Sequence, residues 1–223
     1  MEAVVEILDG PYHEGTKRLK LNTQAKLDEV LTHPQCPVFL HSVLFGKVTW
    51  QMRSEFNVGR TLAAPGLAPQ WVGALLAWGA RVDLEDGRGI LLAEAPGQAG
   101  SAGSLSLPLE VPGRLWAEAR TGSTPNDFPI VWALVVLDVV DGIVQNARIA
   151  LTGAWRQSVA LAESAELLVG KKLDAETIQQ VAAAVAKEAA PVGDYRGGEE
   201  YRKDMAGVMT RRALETCLEG VEA

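Results

Sequence analysis

The stretch FPIVWALVVLDVVDGIVQNARIALTGAW, Phe128 to Trp155, decides how the chain folds. It is dense in Val, Ile, Leu and Trp, whose branched or aromatic side chains suit a pleated, half-buried surface. In its middle Asp141-Gly142 is a two-residue hairpin signal, because both central positions of the tightest turn need positive φ. Together with RLWAEAR, Arg114 to Arg120, it predicts a three-stranded antiparallel sheet.

Toward the C-terminus the pattern turns helical. ESAELLVGKK predicts a short helix closing on Gly170, and Asp174 stands where it can N-cap AETIQQVAAAVAKEAA. Ile178, Val181, Ala182 and Val185 form one face of that helix before Pro191 ends it. A last helix, Glu199 to Glu219, is expected to carry Tyr201, Met205, Val208, Met209 and Leu214 inward.

Toward the N-terminus, APGQAGSAGSLSLPLEVPG, residues 95–113, is rich in Gly, Ser, Ala and Pro and reads as a long loop or the seam between domains. This gives an α+β chain in two parts, 1–112 and 113–223, the first a small sheet with helices. Ahead of the seam, NVGRTLAAPGLAPQWVGALLAWGARVDLEDG, Asn57 to Gly87, reads as a loop, then a helix apolar on nearly every side, then a half-buried strand. AVVEIL and RLKLN read as two strands joined by the turn DGPYHEG. Thr23 is the expected N-cap of QAKLDEVLTH, with Leu27, Val30 and Leu31 at helical spacing and Pro34 as the stop. VFLHSVLFGKV is helical by length but ambiguous with strand.

Composition excludes several functions. With 223 residues and 48% hydrophobic content the chain can bury a real core. A formal charge of -7 with no long Lys/Arg run argues against a nucleic-acid partner. No stretch approaches the length of a membrane span, and MEAVVEILDG lacks a signal-peptide pattern, so a cytoplasmic protein is expected. The two cysteines, Cys36 and Cys217, and the three histidines, His13, His33 and His41, show no metal-ligand spacing. No G-x-S-x-G is present, and Cys36 has no paired base in view.

The segments NARIALTGAW, LLVGKKLDAETIQQVAAAVAKEA and DYRGGEEYRKDMAGVMTRRALE, in this order and spacing, resemble the C-terminal domain of the FAD (medium) subunit of molybdenum hydroxylases of the carbon monoxide dehydrogenase and xanthine dehydrogenase type. The residues that carry the resemblance are Asp194, Arg196 and Gly197, then Tyr201-Arg202 and Arg211-Arg212-Ala213. LDEVLTHP and LLAWGARVDLEDG resemble the same family more loosely. The resemblance implies the carbon monoxide dehydrogenase flavoprotein C-terminal-like fold for 113–223, preceded by a truncated second FAD subdomain. It also implies a subunit that works with a molybdenum-binding large subunit and an iron-sulfur small subunit, passing electrons through FAD to an external acceptor.

In that family two Gly-rich loops hold the FAD phosphates and ribose, because glycine lets backbone N–H groups approach a pyrophosphate. The resemblance places the first loop in an N-terminal subdomain ahead of the point where this sequence begins. The second, Thr-Ile-Gly-Gly-Asn, is matched by Asn57-Val58-Gly59-Arg60-Thr61, so Arg60 replaces a glycine and Thr61 the asparagine. Gln70 stands where the family has an acidic residue, and Arg120 and Asp127 are separated by TGSTPN. The candidate cofactor-binding residues are therefore Gly59, Arg60, Thr61 and Asp127. Either Arg60 supplies charge to a remodelled phosphate site, or the segment is a degenerate surface turn; the second reading is preferred, with FAD lost and the chain acting as a structural or docking subunit. A working flavoprotein subunit is the alternative, and a homo-oligomer a third possibility. Asp194, Arg196, Tyr201, Arg202, Arg211 and Arg212 are read as architectural, with Asp194 capping the last helix. Trp50 and Trp71 flank the altered loop and are read as filling a lost flavin's volume or anchoring a partner.

Overall fold

The computed structural model describes residues 5–9, 17–83, 89–94, 102–109, 111–122, 124 and 127–222. Residues 10–16, with most of the turn DGPYHEG and His13, residues 84–88, and residues 95–101 and 110 of the Gly/Ser stretch lie outside the described residues. The chain divides into two compact units, Met1–Val111 and Pro112–Ala223.

The first unit holds a sheet of β1 (Val5–Asp9), β2 (Lys17–Asn22), β3 (Arg81–Asp83), β4 (Gly89–Leu91) and β5 (Ser104–Pro108), in the order β1-β2-β5-β3-β4. Every pair is antiparallel. The register sets Leu19 opposite Leu107 and Leu105 opposite both Leu21 and Val82, so these side chains share a face, and all are buried. Burying each contributes about 1.5–3 kcal/mol.

The central strand β5 falls inside the stretch expected to be a loop or seam. SLSLP alternates as a strand should, but its partners β2 and β3 are distant in sequence and no local turn announces them.

The described residues of the unit also form the α-helices α1 (Leu27–Thr32), α2 (Val38–Lys47), α3 (Trp50–Glu55), α4 (Val58–Ala63) and α5 (Pro69–Trp78), with a 3-10 turn at Pro65–Leu67. The ambiguity at 38–48 resolves to helix, with Phe39, Leu40, Val43 and Leu44 buried along one side. The ring of Phe39 stacks on Trp78 at 3.8 Å, tying α2 to α5, and the Trp78 indole donates to the Pro108 carbonyl at 2.8 Å, tying α5 to β5. Thr23 does not cap α1: the cap position is Lys26, while the buried Thr23 hydroxyl is 2.6 Å from the Ala102 carbonyl.

The second unit is a four-stranded antiparallel sheet, β6 (Arg114–Thr121), β7 (Val131–Val140), β8 (Ile143–Thr152) and β9 (Val159–Leu161), in sequence order. The fourth strand corrects the expected three; β9 spans only three residues, too short for alternation to show in sequence. Asp141 and Gly142 make the β7–β8 turn at φ 51° and 76°.

Helices α6 (Ala175–Glu188) and α7 (Glu199–Glu222) cover one face of this sheet. Val135, Leu137, Ile149 and Leu151 pack there against Ile178, Val181, Val185, Met209 and Leu214. The Asp174 carboxylate accepts the Thr177 N–H at 2.8 Å and starts α6. The expected helix at 163–172 is a 3-10 turn, Glu163–Leu168, and Glu188 of α6 accepts its first two backbone N–H groups, those of Glu163 and Ser164. Tyr201, expected inward, is 40% exposed. Among the described residues no helix is long and apolar enough to cross a membrane.

Candidate functional site

Asn57-Val58-Gly59-Arg60-Thr61, expected to be a loop, forms the cap and first turns of α4. Asn57 is a strong N-cap residue, and its side-chain oxygen accepts the Arg60 N–H at 2.7 Å. The Val58 N–H donates to the Ala25 carbonyl at 2.9 Å and the Gly59 N–H to the Thr23 carbonyl at 2.7 Å. The Thr61 N–H donates to the Asn57 carbonyl at 3.3 Å, and its buried hydroxyl to the Val58 carbonyl at 2.7 Å.

Four consecutive amides are thus bound within the protein. A diphosphate held by backbone needs N–H groups with no other partner, so residues 58–61 do not fit that role. Gly59 is buried, and Arg60, though exposed, lies over the Phe56 ring with its guanidinium carbon 4.4 Å from the centroid. The cap at Asn57 was legible, being an Asn ahead of an apolar run. The clamp from Thr23 and Ala25 was not, because it comes from a segment more than thirty residues earlier.

Close in sequence, the first turn of α5 holds Gln70, 2% exposed, and Trp71, fully buried. The Gln70 side-chain oxygen and the Trp71 indole N–H have no hydrogen-bond partner among the described residues. Each is a buried polar atom left unpaired, which costs about 1–3 kcal/mol. Trp71 therefore fills volume inside the unit, whereas Trp50 is 70% exposed.

Asp127 belongs to the second unit. Its N–H reaches the Thr124 carbonyl at 3.3 Å and its own carbonyl lies 3.5 Å from an Arg120 guanidinium nitrogen.

The charged residues of the last segment build a clip. Arg202, 6% exposed, donates to the Asp194 carboxylate at 2.7 Å and to the carbonyls of Ile130 at 2.8 Å, Gly197 at 3.1 Å and Gly153 at 3.3 Å. Asp194 does not cap α7; its carboxylate accepts the Arg196 and Gly197 N–H groups of its own turn, five residues ahead of the helix. The Arg202 hydrogen bond, followed by the Arg196 amide, holds this carboxyl below the usual range. Arg196 donates to the Phe128 carbonyl, and Arg211 pairs with Glu215 at 3.2 Å along the helix. These groups join β7, β8 and α7 through bonds within the protein, an architectural role.

Burial pushes the Cys36 thiol up to about 11 and that of Cys217 to about 12, so neither is a ready nucleophile at neutral pH. Among the described residues no group of three or more His, Cys, Asp or Glu side chains is placed to hold a metal ion.

Residues 121–217 match the CO dehydrogenase flavoprotein C-terminal domain. Over 112 residues, half of this chain, the sequence is 33% identical to the carbon monoxide dehydrogenase medium chain of Afipia carboxidovorans. Residues 121–217 thus belong to that domain family, and the sequence as a whole is similar to medium chains of such enzymes. This medium-subunit homologue is also 25% identical, over 173 residues, to the nicotine 6-hydroxylase medium subunit of Paenarthrobacter nicotinovorans. The matched regions span 39% and 61% of those two relatives, so it corresponds to about half of their length.

Solved structures share its fold. Reconstituted CO dehydrogenase from Oligotropha carboxidovorans superposes with a TM-score of 0.74 at 23% identity, over 96% of this chain and 78% of that one. Quinoline 2-oxidoreductase from Pseudomonas putida 86 gives 0.75 at 21% identity, over 98% of this chain and 79% of that one.

Proposed function

We propose that the chain is a structural, docking subunit of a molybdenum hydroxylase-type oxidoreductase complex and holds no flavin of its own. The observation that carries this reading is the engagement of the N–H groups of residues 58 to 61 by Ala25, Thr23, Asn57 and the turn of α4 itself. A phosphate would have to displace short internal bonds at a six-residue helix. The clip around Arg202 supports the other half of the reading, since it ties Asp194, Gly197 and α7 to Ile130 and Gly153 through bonds within the chain. Its partners are a molybdenum-binding large subunit and an iron-sulfur small subunit, and its compartment the cytoplasm.

The test is purification of the tagged chain from its source cells, with metal analysis and separation of the polypeptides. Molybdenum and iron are expected in chains that travel with it. Recovery of the protein alone under gentle conditions contradicts the docking role.

One observation favours a second reading, a working flavoprotein subunit. The unpaired Gln70 oxygen and Trp71 N–H offer one acceptor and one donor, which a ribose hydroxyl can satisfy together. Gly59, Arg60 and Thr61 would then be cofactor contacts within the first unit, and FAD would carry electrons from the iron-sulfur partner to an external acceptor.

A further inference from the structure

We draw no further inference here: the strongest candidate, the side-chain pair buried in the first turn of α5, where the Gln70 oxygen and the Trp71 indole N–H have no hydrogen-bond partner among the described residues, belongs to the candidate site already described.

Discussion

The guanidinium of Arg202 donates to the carbonyl oxygen of Ile130 at 2.8 Å, across 72 residues of sequence, and the same oxygen would stand 2.0 Å from a Cβ placed on Gly153. Three segments converge on one carbonyl, so the site tolerates neither a shorter cation nor a bulkier turn. Arg202→Met leaves the carbonyls of Ile130, Gly153 and Gly197 without their shared donor and is expected to cost on the order of 3 kcal/mol. Arg202→Lys is expected to recover less than half of that, because a single ammonium cannot reproduce the fork. Gly153→Ala, at φ 73°, is expected to destabilise comparably. Urea titration of the three variants checks the ordering.

Asp138 sets an acid limit. Burial alone would push its carboxyl up, but hydrogen bonds from Arg114 at 2.6 Å and Asn146 at 3.0 Å, with the charges of Arg114 and Arg148, hold it below the usual range. A depressed folded-state value means its stabilisation is fully present above the unfolded value of about 3.9 and lost as pH falls through the folded one. Stability should therefore fall below about pH 4. Asp138→Asn should be less stable than the parent at pH 7 and show a shallower acid decline. Melting curves from pH 7 downward measure both.

The amide clamp on α4 gives a third expectation. Asn57→Ala removes the cap on Arg60 and should cost about 1 kcal/mol. The double variant Arg60→Gly and Thr61→Asn, which restores the family's residue types at those positions, should gain no FAD affinity, because the bonds of Val58 and Gly59 to Ala25 and Thr23 remain. Flavin fluorescence during titration with FAD reports it.

Gln70 separates the two functional readings by stability alone. If its side-chain oxygen is only an unpaired buried acceptor, Gln70→Met removes a desolvation cost and should stabilise the protein by about 1 kcal/mol. If that oxygen serves a ligand, the same change should lower the melting temperature of the protein as isolated from cells.

The parts of the fold legible in sequence are those whose signals are local. The β7–β8 hairpin carries its own turn at Asp141-Gly142, and α6 its own cap at Asp174 and its own apolar face. What was misread depends on distant partners. SLSLP is a central strand only because β2 and β3 flank it, and Thr23 looks like a cap until its hydroxyl is found at carbonyls 79 and 80 residues away.

Much the same holds at the candidate site. The replacement of a glycine by Arg60 was visible, but the engagement of the neighbouring amides by Thr23 and Ala25 was not. Phe45 on α2 looks like a core residue until the buried face of that helix is known, whereas Trp50, read as filling a lost flavin's volume or anchoring a partner, is exposed.

The central claim is that the N–H groups of residues 58 to 61 are already engaged and leave none for a diphosphate. The visible absorbance spectrum of the intact protein, purified without added cofactor and again after incubation with excess FAD and gel filtration, tests it most directly. The account predicts no flavin absorbance in either sample. Flavin retained at one per chain would contradict it.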